Sequence, residues 1–303
     1  MNVVSYLAGV PSPHKSPHKV EVLKRFVDGV NKAGDTGIAH SGRGLVQSDV
    51  AVIQGWVHQG SPNTPHLLLR KQVADTQKAK GKRTIIVDSN LFNYTGIEVP
   101  HYSRYSMDGI FPTTGSYFWD HSVDPKRWEQ IQKHYGISLK PYRKSGNHIL
   151  ICLQRNGGWS MKGLNVPQWL NETVKKIKKI SDRPIVVRGH PGDKGVRGYL
   201  KPSKDYTISN NASILQDFNN AWAVVTYNSS PGVAAAIEGI PTFVLDPQPE
   251  TSQAFAVSNK ELGKIETPLE FDREEWIQKI SMCHWHFDEL SNGTAWRHMR
   301  KFV

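Results

Sequence analysis

The sequence has few cysteines and no long apolar segment. Its two cysteines, Cys152 and Cys283, stand in unrelated contexts, without a second cysteine or a histidine at metal-ligand spacing. This excludes a disulfide framework and argues against a zinc site. No run reaches the roughly 18 apolar residues that a transmembrane helix needs. The first residues lack the basic segment of a signal peptide, so we expect a β-strand there and a cytoplasmic protein.

Acidic residues are in the minority. The chain has 27 Asp and Glu against 38 Lys and Arg, which gives a formal net charge of +11. Such an excess attracts polyanions, and it leaves three classes of partner open: nucleic acid, an anionic membrane face and an acidic glycan. The sequence also lacks the GxxxxGK[ST] and GxGxxG patterns, so it contains neither a P-loop nor a dinucleotide-binding fingerprint.

Hydrophobic periodicity predicts alternating strands and helices in both halves of the chain. The first half has predicted strands at 2–7, 49–54 and 83–88 and helices at 20–33 and 65–80. The second half has predicted strands at 148–153, 184–188, 222–226 and 242–245 and helices at 166–180, 232–238 and 273–284. Continuous apolar strands between helices are typical of a parallel sheet covered on both faces.

A polar, basic segment at 136–147 contains Gly and Pro and lies near the midpoint of the chain. Such composition is typical of a linker. We therefore predict two α/β domains, 1–140 and 141–303, with the C-terminal helix packing back on the first domain.

Two loops that follow predicted strands carry residues suited to an anion. In the segment 154–160 the paired Gly157 and Gly158 let backbone amides approach a phosphate, and Arg155 can contact it through several N–H groups. An ordinary tight turn is the alternative. In the segment 188–194, Arg, His and Lys side chains share a turn set by Pro and Gly, which indicates a cationic pocket. A solvated basic loop is the alternative there.

A third loop joins the strand at 222–226 to a helix of small residues. Ser229 and Ser230 precede this helix, and we expect one of them to cap it. The free N–H groups and the dipole of the helix would then face a phosphate. A simple N-cap is the alternative, but it does not explain why the serines coincide with two other loops suited to anions.

The order of these loops resembles the donor half of GT-B glycosyltransferases. A His-Pro loop at 188–194, followed by Asn-Ser-Ser-x-Gly and Gly-x-Pro within 228–241, is similar to capsule-type transferases with His-Pro and Ser-x-x-Gly motifs. The segment 148–194 also resembles bacteriophage DNA-modifying glycosyltransferase-like proteins. The resemblance implies two facing Rossmann-like domains with a ligand cleft between them. It also implies a nucleotide-sugar donor, with a UDP-sugar as the first choice.

The resemblance implies a set of donor-binding residues in the second half: Gln154, Arg155, Gly157, Gly158, Arg188, His190, Lys194, Asn228, Ser229, Ser230 and Gly232. Many such transferases hold the donor ribose with a Glu two residues after the Gly of the Ser-x-x-Gly motif. Ala234 occupies that position here, so we expect Glu238, Asp246 or Gln248 to make the contact. No DxD-like pair follows a strand, so we expect leaving-group stabilisation by cations and a helix dipole, without a metal ion.

Candidate acceptor and catalytic residues lie in the first half. Ser-Pro-His-Lys occurs twice in tandem at 12–19, which puts His14, Lys15, His18 and Lys19 in the loop after the first strand. There the lysines would contact acceptor phosphates and a histidine would act as general base. Asp88, which ends the strand at 83–88, is the third candidate base.

Aromatic and basic residues alternate over 93–121, with Arg104 and Trp119 among them. Such residues suit stacking on bases or sugars of an acceptor. A satellite hydrophobic core is the alternative interpretation.

These features predict a hexosyl- or pentosyltransferase that moves a sugar from a nucleotide sugar to a hydroxyl group and requires no cofactor. The basic charge and the phage resemblance favour a 5-hydroxymethyl pyrimidine, such as 5-hydroxymethylcytosine, in double-stranded phage DNA as the acceptor. We expect this base to be flipped out of the base stack to be reached. The protein would then act in the cytoplasm of the infected host cell. A capsular or cell-surface glycan is the alternative acceptor. A non-catalytic nucleic-acid-binding protein is the alternative of another class. We expect a monomer.

Overall fold

The computed structural model describes residues 1–11, 17–57, 63–96, 101–110, 123–248 and 252–303. The chain forms two compact α/β units. The first consists of Met1–Asn90, Val99–Val123 and Lys279–Val303, and the second of Leu91–Glu98 and Asp124–Gln278. The segment 124–140, which the sequence assigns to the first domain, is therefore grouped with the second unit, and residues 279–303 are grouped with the first.

Eleven strands and ten α-helices lie in the described residues, and most of the strands are buried. They are β1 (Asn2–Tyr6), β2 (Thr36–His40), β3 (Val50–Gln54), β4 (Arg83–Ser89), β5 (Tyr102–Met107), β6 (His148–Cys152), β7 (Ile185–Arg188), β8 (Thr207–Ile208), β9 (Ala221–Thr226), β10 (Thr242–Val244) and β11 (His284–His286). The α-helices are α1 (Pro17–Lys32), α2 (Pro65–Ala79), α3 (Pro125–Tyr135), α4 (Val166–Ile177), α5 (Val196–Tyr199), α6 (Ile214–Phe218), α7 (Pro231–Ile237), α8 (Glu274–Met282), α9 (Phe287–Ser291) and α10 (Thr294–Met299).

The first unit contains a six-stranded sheet in the order β11-β5-β4-β3-β1-β2. Strands β1 to β4 are parallel. At one edge β5 pairs antiparallel with β4, and β11 pairs antiparallel with β5. In the parallel part the strand order reverses between β1 and β3. Ligands of doubly wound sheets lie beyond the carboxyl ends of the strands at such a reversal.

The second unit contains five parallel strands in the order β10-β9-β6-β7-β8, with the reversal between β6 and β9. This is the order of a Rossmann fold. The central strand β6 is apolar because both of its faces are buried. Ile149 and Ile151 pack in one core cluster with residues of α4, and Leu150 and Cys152 pack in another with residues of α7. Successive side chains point to opposite faces, so a strand covered on both faces has to be apolar throughout.

Helix α1 begins at Pro17 instead of residue 20. Proline suits a first helical turn, because its fixed φ is already helical and its missing N–H would have no intrahelical acceptor there. The prediction that His18 and Lys19 lie in a loop is therefore wrong, since both belong to the first turn of α1. Across the described ranges, no helix is long and apolar enough to cross a membrane.

Gly29 tests the packing of α1 against the C-terminal helices. A Cβ atom at Gly29 would lie 1.8 Å from the carbonyl oxygen of Leu290 in α9 and 3.1 Å from the Cα of Gly293. Backbone atoms cannot yield as a side chain can, so we expect Gly29→Ala to lower the free energy of unfolding by about 3 kcal/mol, the upper part of the range for overpacking. The measurement is urea unfolding.

Gly44→Ala is the matched control for this prediction. A Cβ atom at Gly44 would have no heavy atom of the described residues within 4 Å, so we expect a change within about 0.5 kcal/mol. Equal urea midpoints for the two variants would show that α1 and α9 are not in contact as described.

Candidate functional site

The loops after β6, β7, β9 and β10 meet at one edge of the second unit. All five strands of that sheet are parallel, so their carboxyl ends lie on the same side. This brings together residues that are far apart in sequence, from Gln154 to Asp246. The predicted donor loops therefore lie at this edge.

A buried hydrogen-bond network forms the floor of this edge at the β6–β9 reversal. Gln154 Nε2 donates to Asn228 Oδ1 (2.5 Å) and to Ser160 Oγ (2.7 Å). Asn228 Nδ2 donates to Asp246 Oδ2 (2.6 Å) and to the carbonyl oxygen of Ser160 (3.0 Å). Gln154, Asn228 and Asp246 are 6%, 3% and 1% exposed. These three predicted donor residues are thus brought together, but their polar groups bond to one another and hold the loops in place.

Lys162 joins this network, although sequence reasoning missed it. Its Nζ lies 2.9 Å from the Asp246 carboxylate and 2.5 Å from Gln248 Oε1. Its backbone has a φ of 51°, in the left-handed region that a lysine rarely adopts. Asp246 and Gln248, the expected ribose contacts, are therefore engaged by a cation of the protein itself.

Asp193 ties the loop after β7 to the loop after β6. Its carboxylate accepts hydrogen bonds from the N–H groups of Asn156 (2.9 Å) and Gly195 (2.9 Å) and from the hydroxyl of Tyr199 (2.7 Å). Burial raises the pKa of Asp193, but these hydrogen bonds outweigh it and hold the pKa below its ordinary value. The ionised carboxylate therefore fixes the residues on either side of it, including Lys194.

Arg155 and His190 approach each other across Gly192. A Cβ atom at Gly192 would lie 2.7 Å from Arg155 Nη2 and 3.1 Å from His190 Cε1, so a larger residue there would displace the end of the Arg155 side chain. The N–H of Gly192 donates to His190 Nδ1 at 3.0 Å, which leaves Nε2 to carry the proton of the neutral ring. Burial and, after it, the charge of Arg155 lower the pKa of His190. His190 is therefore a neutral donor at pH 7.

Two cations at this edge are not neutralised by the protein. Within the part of the chain that the structure describes, the Arg155 guanidinium and the Lys194 ammonium have no hydrogen-bond or ion-pair partner, and both residues are exposed. Together with His190 Nε2–H they offer N–H donors to an incoming anion. Guanidinium and ammonium groups form strong charge-assisted hydrogen bonds with phosphate oxygens.

Two further predicted donor residues are engaged elsewhere. Arg188 forms an ion pair with the buried Asp217 and donates to the carbonyl oxygens of the loop at 211–212. Glu238 forms an ion pair with Lys140 and accepts a hydrogen bond from the hydroxyl of Tyr94 at 3.0 Å. It follows α7, which runs back from the carboxyl edge, so Glu238 lies toward the opposite edge of the sheet. Neither placement supports a donor contact.

The start of α7 is not capped by a serine side chain. Ser230 at the N-cap position is in the right-handed helical region and makes no side-chain cap bond, so the predicted cap is wrong. Pro231 at the first helical position already suits a helix start. Among the described residues the N–H groups of Ser229 and Ser230 have no acceptor and remain as donors. Gly232 is buried, where a Cβ atom would meet Ala254 and Thr242 at 3.4 Å.

The glycine pair after β6 forms a tight turn. Gly158 donates to the carbonyl oxygen of Arg155 at 3.0 Å, and Gly157 has a φ of 70°. Glycine is required for this conformation, because a side chain strains the left-handed region. The turn sets the direction of the backbone after Arg155.

A cavity of about 700 Å³ lies beside α4 in the second unit. Its lining includes Trp169, Tyr227, Leu245, Lys260 and Leu262. The rings of Trp169 and Tyr227 meet edge to face, with 6.2 Å between centroids. Burial lowers the pKa of Lys260 to about 8. Leu245 flanks Asp246 in sequence, so the cavity adjoins the buried network. About half of the lining residues are polar or charged, including Glu172, Lys176 and Glu261. Together with the two aromatic rings they suit a small polar ring.

In the first unit, Asp88 and Arg104 form a single ion pair. They are register partners in β4 and β5, and Arg104 Nη2 donates to Asp88 Oδ2 at 2.5 Å. The Asp88 side chain is 24% exposed and the Arg104 side chain 7%. His18 is exposed in α1. The other residues predicted for the acceptor side, His14, Lys15 and Trp119, lie outside the described residues.

Comparison with known proteins shows the fold. No protein-family model and no curated protein matches the sequence. The structure is similar to Thermosulfurimonas dismutans KpsC, beta Kdo 2,4 transferase, with a TM-score of 0.58 and 14% identity over 94% of this chain and 92% of that chain. It is also similar to the beta Kdo 2,7 transferase of the same KpsC, with a TM-score of 0.52 and 13% identity over 96% and 99%. The prediction of two Rossmann-like domains is confirmed.

The charge of Arg155 can be tested through His190. We expect Arg155→Ala to raise the pKa of His190 toward its ordinary value, because removing a nearby positive charge favours the protonated ring. The measurement is an NMR titration of the assigned ring resonances. Arg197→Ala removes an exposed charge from the neighbouring α5 and should leave the titration unchanged. An unaltered His190 pKa in Arg155→Ala would contradict the described contact.

Proposed function

We propose that this protein is a glycosyltransferase that uses a nucleotide-sugar donor and binds it at the carboxyl edge of the second unit. The observation that carries the proposal is the convergence of Arg155, Lys194 and the neutral His190 beside a reversal of strand order. This arrangement suits the phosphates of a nucleotide. The names of the two structurally similar proteins, both transferases, support the transfer of a sugar.

The donor would lie along the edge from β7 to β10. Its phosphates would contact Arg155, Lys194, His190 Nε2–H and the N–H groups of Ser229 and Ser230. Its nucleoside would occupy the cavity beside α4. Three strand spacings of about 4.8 Å give about 14 Å between β7 and β10. The distance is of the size that a nucleoside diphosphate spans.

In the transfer step the acceptor hydroxyl oxygen bonds to the anomeric carbon while the bond from that carbon to the phosphate oxygen breaks. Negative charge grows on the departing nucleotide, where Arg155, Lys194 and His190 stabilise it. Asp88 would accept the hydroxyl proton, since its carboxylate is partly exposed at a strand end and Arg104 holds it in place. The proposal requires no metal ion, so a chelator should leave turnover unchanged.

A glycan is the acceptor that we place first, because both structurally similar proteins are named Kdo transferases. DNA with a 5-hydroxymethyl pyrimidine is the second candidate, and the net charge of +11 favours it. Both acceptors are anionic polymers with a free hydroxyl group. The proposed chemistry is the same for either.

Donor binding can be tested by calorimetry with UDP. We expect Arg155→Ala and Lys194→Ala each to weaken UDP binding at least about tenfold, because a hydrogen bond to a charged group contributes about 1.5–3 kcal/mol and about 1.4 kcal/mol is a factor of ten. Lys175→Ala, on the exposed face of α4, removes the same charge elsewhere and should bind UDP normally. Equal affinity in all three variants would contradict the donor site; CDP and GDP serve as alternative probes if UDP does not bind.

The acceptor and the base can be tested by mass spectrometry after incubation with a pool of nucleotide sugars. The two acceptors are an acidic oligosaccharide and DNA containing 5-hydroxymethylcytosine. A gain of one sugar mass would identify the acceptor. We expect Asp88→Asn to lower turnover by about 10²–10⁴-fold, the contribution of a general base, with UDP affinity unchanged.

Asp108→Asn is the control for the base, since Asp108 lies outside the carboxyl edge and forms an ion pair with Arg83. Its turnover should equal that of the wild type. Full turnover in Asp88→Asn would exclude Asp88 as the base, and no sugar on either acceptor together with no nucleotide binding would contradict the proposed function.

A further inference from the structure

A buried arginine lies at the strand-order reversal of the first unit. Arg70 belongs to α2 and is 6% exposed. Its Nε donates to the carbonyl oxygen of Gly9, after β1, at 2.8 Å, and its Nη2 donates to Gln54 Oε1, at the end of β3, at 3.3 Å. The guanidinium thus bridges the carboxyl ends of β1 and β3, the two strands between which the order reverses. Open α/β sheets bind ligands at this position.

The charge of Arg70 is not balanced by a partner of its own. Both of its acceptors are neutral. Burial lowers the pKa of Arg70 to about 10, against the opposing effect of the Asp88 charge. Asp88 itself is paired with Arg104, which is also 6% exposed. Two buried guanidinium groups therefore share one carboxylate, and a buried charge without a partner is unfavourable.

The two arginines retain N–H groups for a further acceptor. Among the described residues, Arg104 Nε is buried without a hydrogen-bond partner, and Arg70 Nη1 has no acceptor. Gly55 faces Arg70 Nη1, and a Cβ atom there would lie only 2.9 Å from it. Gly55 has a φ of 76° and follows β3 directly. A side chain at this position would therefore press against Nη1.

We propose that Arg70 and Arg104 form a binding site for an oxyanion, a phosphoryl or carboxylate group. One bound anion would balance the second guanidinium, and the planar N–H pairs of arginine match the oxygens of both groups. If the proposed function holds, this anion belongs to the acceptor and places its hydroxyl group near Asp88. The anion site itself rests on the first unit alone.

The experiment uses the full chain with Arg155→Ala and Lys194→Ala as the parent, so that the donor loops do not contribute to anion binding. Thermal unfolding is followed while inorganic phosphate or acetate replaces chloride at constant ionic strength and pH. Preferential binding to the folded state gives a saturable rise of Tm. We expect such a rise in the parent, and we expect Arg70→Gln to weaken the apparent anion affinity at least tenfold.

Arg83→Gln is the matched charge control, because Arg83 lies at the other end of β4 in an exposed ion pair. It should keep the parent response. Gly55→Ala is the second variant, in which the charge of Arg70 stays and the added methyl group blocks Nη1. We expect Gly55→Ala to lose the saturable rise of Tm as well. If Arg70→Gln does not fold, Gly55→Ala alone tests whether the anion binds at Arg70.

A response to phosphate alone assigns a phosphoryl group, and a response to acetate alone assigns a carboxylate. The proposal is overturned if the parent shows no saturable rise with either anion, or if the response persists unchanged in Gly55→Ala and in folded Arg70→Gln. UDP binding to the wild type is measured in parallel. An anion response without binding of UDP, CDP or GDP and without sugar transfer would reject the proposed function and keep the anion site, whereas nucleotide binding without an anion response would do the reverse.

Discussion

The hydrogen bonds between Gln154 and Asn228 join the loops after β6 and β9, and the arrangement of the second unit's edge depends on them. At a reversal of strand order the connecting helices leave to opposite faces, so the polar backbone and side chains there need partners within the crevice. The two amides satisfy each other and Asp246. Arg155 follows Gln154 directly and Ser229 follows Asn228, so the proposed anion-binding donors stand next to buried anchors. Asp193 plays the same part for Lys194.

The two units use their strand-order reversals differently. In the second unit the floor is a network of amides closed by the Lys162–Asp246 ion pair, and the cations of Arg155 and Lys194 stand around it with access to solvent. In the first unit a charged side chain, Arg70, is itself part of the floor. Where the buried polar groups are all hydrogen-bonded to one another, the ligand has to be recognised by the surrounding loops. A floor with an unbalanced charge favours an anionic ligand at that point.

The similarity to solved structures at 13% and 14% identity carries the fold and no more. Folds of this type host many activities, so function has to be argued from the side chains of the site. Of the residues that the sequence suggests for the donor, Arg155, His190 and Lys194 face outward with unused N–H groups. Gln154, Asn228 and Asp246 support them from below. Arg188 and Glu238 are taken by Asp217 and Lys140.

The sequence by itself determined the buried parallel strands of both units and the loops that follow them, because a strand covered on both faces has to be apolar and anion-binding loops are rich in Gly and basic residues. It did not reveal the parallel strands β2 and β8, which are short and partly exposed and so lack an apolar run. It also did not reveal β5 and β11, whose residues are a mixture of polar and aromatic types. Nor did it separate Arg155 from Arg188, since both follow a strand. Only the tertiary structure decided that Asp217 pairs with Arg188 and that Arg70 lies at the β1–β3 reversal. The hydrophobic periodicity of strands and helices is a property of the local sequence. Which charged side chains pair depends on their distances in the folded chain, between residues far apart in sequence.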